Sequence, residues 1–315
     1  MGHIYDLSFV RIGNLHYFVG IALAFLCPLF GALLSRKIGK KGSHTLILVL
    51  LWSNFALHFL KQFFPGYRSL WPDGLADSLA PNLCAALIMA SPFIYLWGPK
   101  PLKDYMYYLG IISGLAAIFV PTGAMRYDAY PGGFANPDYV IEILRFYYCH
   151  LVLITAGFLM VFSGNHKLDY RRIKFLPLTF ALFLAIVAFH AILWGPIFKL
   201  KNFPAEWVGE NGVLYNLSKG QEIANQSMAF GPQPAFAKIL GDIPRYFIPG
   251  IMTYMVEGKI YFTPVLWVMP FIILATVLVG PIMTYPFDRF AMKTAWLGFR
   301  QKRAMAKEAK RRRRL

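Results

Sequence analysis

Residues 175–194 read Phe175-Leu-Pro-Leu-Thr-Phe-Ala-Leu-Phe-Leu-Ala-Ile-Val-Ala-Phe-His-Ala-Ile-Leu-Trp194, with no formally charged side chain among them. At 1.5 Å of helical rise per residue, about 20 apolar residues match a hydrocarbon core roughly 30 Å thick. This run extends to about residue 198, and six others resemble it, at roughly 14–35, 44–64, 79–98, 103–122, 139–163 and 262–285. The composition agrees: 57% of residues are hydrophobic, 15% are charged and the mean hydropathy is +0.48. A soluble domain carries about 25% charged residues. The expectation is therefore an all-α fold, a polytopic membrane protein built as a bundle of about seven transmembrane helices.

The charge pattern orients that bundle. A net charge of +17 would suggest nucleic acid in a soluble chain. Here the cations gather in alternate loops: Arg36, Lys37, Lys40 and Lys41, then Lys100 and Lys103, then Lys167, Arg171, Arg172 and Lys174. The intervening loops at 65–78 and 123–137 hold only Arg68 and Arg126. By the positive-inside rule the N-terminus is expected outside and the C-terminus in the cytoplasm. No nucleic-acid partner is expected. The tail, ending Lys310-Arg-Arg-Arg-Arg314, reads as a topology anchor at an anionic surface. No cleavable signal peptide is evident, because the first apolar run is too long for one and lacks a basic leader.

The division expected is a single seven-helix membrane domain over 1–290 and a basic cytoplasmic tail over 291–315. Within the domain, 199–261 forms an outer loop or lid insertion. Its short run Tyr246–Met255 is too brief to cross as a helix and is expected to lie on the outer interface or dip into it. Two sequons, at Asn216 and Asn225, also fall there. Gly110-Ile-Ile-Ser-Gly114 presents small residues four apart, a face for close helix packing.

Ionisable groups inside a bilayer are expensive and tend to face the bundle interior. Counting the helical rise from the ends of the runs places His58 and His190 roughly 21–23 Å above the inner edge of the core. Cys84, His16 and His150 enter from the outer side, so all five share the outer half. Pro81 and Asn82 open the helix of Cys84, setting its sulfur beside free backbone N–H groups and the positive helix end, which favour a thiolate. Cys27 and Cys149 read as packing residues, and no CxxC pair suggests a disulfide framework.

Leu79-Ala-Pro-Asn-Leu-Cys84 is similar to the Leu-Pro-Leu-His-Leu-Cys segment of YwaF-type integral membrane proteins, whose animal relative is transmembrane protein 164. Arg145-Phe-Tyr-Tyr-Cys-His150-Leu-Val-Leu, Leu115-Ala-Ala-Ile-Phe-Val-Pro121, Gly13-Asn-Leu-His16 and Tyr285-Pro-Phe287 resemble further segments of that family. One departure is Asn82, where the family usually carries His. The resemblance implies a phospholipid-remodelling acyltransferase with phospholipid and lysophospholipid as substrates. It implies Cys84 as nucleophile and His150 as base, with no metal and no cofactor. Asn82, His16, His58 and His190 are expected to bind substrate or support the site, and Asn82 and nearby backbone N–H groups to face a developing oxyanion. Two other classes remain open from the residues alone. One is a membrane transporter or binding scaffold. The other is a haem-binding redox module, with His58 paired across helices with His150 or His190.

Overall fold

The computed structural model describes residues 7–68, 79–125, 129–194, 206–207, 227–232, 243–246, 250–256 and 258–312. Six helices dominate: α1 (Leu15–Leu60), α2 (Leu83–Trp97), α3 (Lys100–Phe119), α4 (Pro137–Phe162), α5 (Leu176–Trp194) and α6 (Met269–Arg312). The two spans expected at 14–35 and 44–64 are the two arms of α1, which breaks at Gly39 with φ +68° and ψ −175°. Only glycine enters that region without a Cβ penalty. The Ser35 and Ser43 hydroxyls, 2.8 Å apart, tie the arms together beside the break.

The remaining helices pack by register. Gly20 meets Tyr147 and Gly31 meets Leu159, so the first arm runs parallel to α4. Asn54 Nδ2 donates to Cys149 O at 3.1 Å, and Asn165 Nδ2 donates to Lys40 O at 3.2 Å, so the second arm returns antiparallel. The small face of α3 seats on α4: a Cβ at Gly110 would fall 2.9 Å from Leu153 O, and one at Gly114 2.9 Å from His150 O. Glycine there permits backbone contact. The bundle thus has a top end, near residues 14, 82, 119 and 137, and a bottom end, near Gly39, Gly98 and Ser163.

Among the described residues four helices are long and apolar enough to cross a membrane, over Leu15–Phe63, Pro137–Phe162, Tyr170–Leu193 and Leu266–Ala306. α2 has 15 residues, and α3 carries Lys100, Lys103 and Asp104 at its start. The chain is a membrane protein built mainly of helix.

Three features differ from the sequence expectation. The chain is not wholly helical, because the insertion carries a small antiparallel sheet of order β1-β3-β2, from Glu206–Trp207, Thr253–Val256 and Lys259–Phe262. Part of the Tyr246–Met255 run is therefore strand, and alternating Tyr254 and Tyr261 stack across it at 5.7 Å. The run at 262–285 starts as strand end and turn, and its helix begins at Met269. Finally, α6 continues through the segment expected as a tail to Arg312, bending at Asp288 (φ −134°, ψ 28°) just after Pro286. Proline removes a helical hydrogen bond and produces such bends, while the Ala, Lys, Arg and Met beyond it are strong helix formers. The sequon residues Asn216 and Asn225 lie outside the described residues.

Buried charge closes the bottom end. Asp104, 2% exposed, receives Arg172 Nε and Nη2 and lies 2.6 Å from His166 Nε2. Asp288 Oδ2 accepts from Tyr170 N at 3.0 Å, and Tyr107 donates to Met283 O at 3.1 Å. At the top, Glu142 accepts from Tyr67 at 3.0 Å and from Arg145 Nε at 2.8 Å.

Candidate functional site

The first turn of α2 is unusually well specified. Asn82, in extended conformation (φ −147°), is its N-cap, and its side-chain oxygen accepts from Ala85 N at 2.9 Å. Asn82 O accepts from Ala86 N at 2.9 Å. Leu83 N donates to Ser227 Oγ at 2.8 Å. A helix leaves its first four N–H groups, here those of Asn82 to Ala85, without i→i−4 partners, and the Leu83 and Ala85 donors are taken by these side chains. Among the described residues the Cys84 N–H is the one left uncommitted. It lies beside its own thiol, at the positive end of the helix.

Around that thiol are hydroxyls. Ser113 on α3 places its hydroxyl within hydrogen-bonding reach of the Cys84 sulfur. Tyr105, 2% exposed, interacts electrostatically with the same thiol, and its OH is buried and unpartnered. Cys149 approaches from α4. Its carbonyl holds Asn54, whose Oδ1 is buried without a partner. Buried polar groups in native structures are overwhelmingly paired, so each exception calls for an explanation. The Tyr105 hydroxyl and Asn54 Oδ1 are two such exceptions in this part of the core.

His58 is 2% exposed, and its Nε2 lies 2.6 Å from Leu79 O. A carbonyl only accepts, so Nε2 carries the proton and the imidazole pins the strand that leads into Cys84. His150 reaches the same level, because Cys84 pairs with Ser113 and the neighbouring Gly114 with His150 O. Its Nδ1 lies 2.7 Å from Phe146 O, and its ring packs on Phe146 at 4.5 Å. Donation through Nδ1 fixes the neutral tautomer and leaves Nε2 as a lone-pair acceptor, the form a general base needs. No hydrogen bond joins His150 to Cys84 among the described residues. The two share a level without touching through a proton.

The other expected residues sit differently. His16 stacks on Phe134 at 4.3 Å, and its Nδ1 is buried without a partner. His190 is partly buried on α5, beside Val187 and Ala191 of the main core. Asn82 caps the helix through its side-chain oxygen, which leaves its amide group, the part that could donate to an oxyanion, outside that bond. Among the described residues no group of three or more His, Cys, Asp or Glu could hold a metal ion.

Residues 9–211, well over half of the chain, match the model of the TMEM164 family. The chain belongs to this family. Cys84, Ser113, Tyr105 and His150 all fall inside the matched span; Ser227 lies beyond it. No curated protein and no solved structure matches the chain.

Three contributors escaped the sequence reading. Ser113 was visible inside the small-residue face as its one hydroxyl. Tyr105 was indistinguishable from Tyr107 and Tyr108. Ser227 had no signal at all, since it meets Leu83 across 144 residues of sequence.

Proposed function

We propose that this member of the TMEM164 family is a membrane-embedded acyltransferase that remodels phospholipids through a thioester on Cys84. The observation that carries the reading is the uncommitted Cys84 N–H together with the Ser113 hydroxyl beside the same sulfur and the buried, unpartnered hydroxyl of Tyr105. A structural cysteine in a packed core needs none of these. An acyl transfer needs a nucleophile, a base and donors facing the oxyanion.

In the proposed reaction His150 Nε2 takes the thiol proton and the sulfur attacks the ester carbonyl carbon of a phospholipid. The carbonyl electron pair moves onto oxygen, and collapse breaks the ester C–O bond. The departing lysophospholipid oxygen receives the proton from His150, leaving an acyl thioester on Cys84. A second lysophospholipid hydroxyl gives its proton to His150, attacks the thioester and restores the thiolate, which is reprotonated. Catalytic hydrogen bonds are often long without substrate and tighten only in the reacting complex, consistent with the missing Cys84–His150 bond. His58 supports the site by fixing Leu79, and His16 and His190 flank it at the top end.

The same reading has the chain cross the bilayer seven times, as the two arms of α1 and then α2 through α6. The bottom end, where Lys40, Lys103, Arg172 and the basic end of α6 collect, is cytoplasmic by the positive-inside rule. Cys84 then sits near the outer interface, at the depth of an outer-leaflet ester. A cysteine introduced beside Lys40 should react only with cytoplasmic reagents; external labelling there overturns this orientation.

The central test is the covalent intermediate. Purified protein incubated with labelled phospholipid should carry label that neutral hydroxylamine releases. Cys84→Ser should lose both the label and transfer to background, because a hydroxyl is a far weaker nucleophile than a thiolate. Cys27→Ala and Cys149→Ala should keep both. Full transfer by Cys84→Ser would remove the cysteine mechanism, and a wild-type protein with neither label nor transfer would bring the transporter class forward.

A further inference from the structure

The insertion reaches into the site through one short segment, Ser227-Met-Ala-Phe-Gly-Pro232. Ala229 and Phe230 are 0% and 3% exposed and belong to the same apolar core as the residues about Cys84. Two bonds from the start of the last helical passage hold its backbone: Trp267 Nε1 donates to Met228 O, and Val265 N to Ala229 O, both at 2.7 Å. Met228 and Val265 are the two non-glycine residues among those described with positive φ, 57° and 66°. Such conformations persist where surrounding contacts over-determine them. The segment is therefore an anchored part of the site wall.

Its placement puts one hydroxyl at the helix end. Ser227 Oγ accepts the Leu83 N–H at 2.8 Å. A hydroxyl has one donor and two acceptor positions, so that bond leaves the Ser227 proton available. Accepting a bond from a backbone N–H also polarises the O–H outward. The next residue along the helix is Cys84, whose own N–H is the uncommitted donor of the turn. A developing oxyanion needs preorganised donors aimed at one point. The Tyr105 hydroxyl, buried without a hydrogen-bond partner and in electrostatic interaction with the same thiol, is an independent sign that this part of the core receives a polar group.

We propose that Ser227 O–H and Cys84 N–H are the paired oxyanion donors of the acyl-transfer step, so that the insertion contributes a catalytic residue. The inference rests on Cys84 being the nucleophile. In the step, the sulfur–carbon bond forms while the carbonyl electron pair moves to oxygen. That oxygen accepts both hydrogen bonds until the pair returns and the ester C–O bond breaks.

The test separates acylation, which passes through an oxyanion, from alkylation, which does not. The full chain is purified and Cys84 is modified either with a 4-nitrophenyl fatty ester or with iodoacetamide. Ser227→Ala should slow acylation on the order of 10²-fold, the usual worth of one oxyanion donor, and leave alkylation within about twofold. Ser227→Thr should restore acylation. Should Ser227→Ala fail to accumulate as folded protein, Ser227→Asn keeps an acceptor for Leu83 N–H while displacing the donor, and should show the same split. Wild-type acylation by either variant overturns the proposal. Equal loss of acylation and alkylation also overturns it, because Ser227 then merely holds the helix. A wild-type protein that alkylates but never acylates removes the Cys84 reading itself. Normal wild-type acylation with an indifferent Ser227→Ala removes Ser227 alone.

Discussion

The two ends of the bundle treat buried polar groups in opposite ways. At the bottom, the Asp104 carboxylate has both oxygens engaged by Arg172 and His166, and neighbouring Tyr107 and Tyr108 are bonded to Met283 and Thr284. Higher in the bundle, the Ser113 hydroxyl lies beside the Cys84 thiol, and the Tyr105 hydroxyl, which interacts electrostatically with that thiol, is buried without a hydrogen-bond partner. These tyrosines are neighbours on one helix, so composition does not separate them. A His–Asp pair resembles catalytic machinery, yet this one is closed upon itself and ties the starts of α3 and α5 together. Unspent hydrogen-bonding capacity marks a site that awaits a partner; complete pairing marks a fastening.

Mutations can break that contrast. The largest effect expected beyond loss of Cys84 is at His150. His150→Ala should lower transfer on the order of 10²–10⁴-fold, the range for a positioned general base, with little change in melting temperature. Activity per folded molecule, measured beside a melting curve, checks this; an unchanged rate would leave the thiol without its base.

Asp104→Asn should do the reverse. Breaking a buried ion pair leaves an uncompensated charge and costs on the order of 3 kcal/mol. The detergent-solubilised protein should unfold well below the wild type, while the surviving folded fraction keeps its specific activity. If activity falls and stability does not, the bottom cluster is a second site and the contrast fails.

Tyr105→Phe is the finest probe. The hydroxyl has no partner to lose, so stability should change by less than about 0.5 kcal/mol or rise slightly. Transfer should fall about tenfold, the worth of one hydrogen bond made only with substrate. The paired comparison is Tyr108→Phe, which should cost about 1 kcal/mol of stability and leave the rate alone. Identical behaviour of the two tyrosines would show that unpaired hydroxyls carry no functional meaning here.

Much of the architecture was legible in the chain. The apolar runs foretold the two arms of α1, the helices α2 to α5 and most of α6, and Gly110 with Gly114 foretold the close seat of α3 on α4. Asn82 was correctly read as opening the helix of Cys84, although its oxygen serves the cap. The strands of the insertion were not legible, because each is two to four residues long and shows no sustained alternation. The helix through the basic segment was passed over because charge was taken as the mark of a tail, whereas Lys, Arg and Ala favour helix once it has begun.

The sequence by itself determined the membrane class and the family. Hydrophobicity accumulates along about 20 neighbouring residues, and a motif is a local string. Only the tertiary structure decided which polar groups are satisfied. Leu83 finds Ser227 across 144 residues, and Asp104 finds Arg172 across 68. A hydrogen bond depends on a few tenths of an ångström and on angle, and those are set by how helices register against one another. The chain therefore announces where its apolar surface goes, and the packed bundle decides which donors remain free beside Cys84.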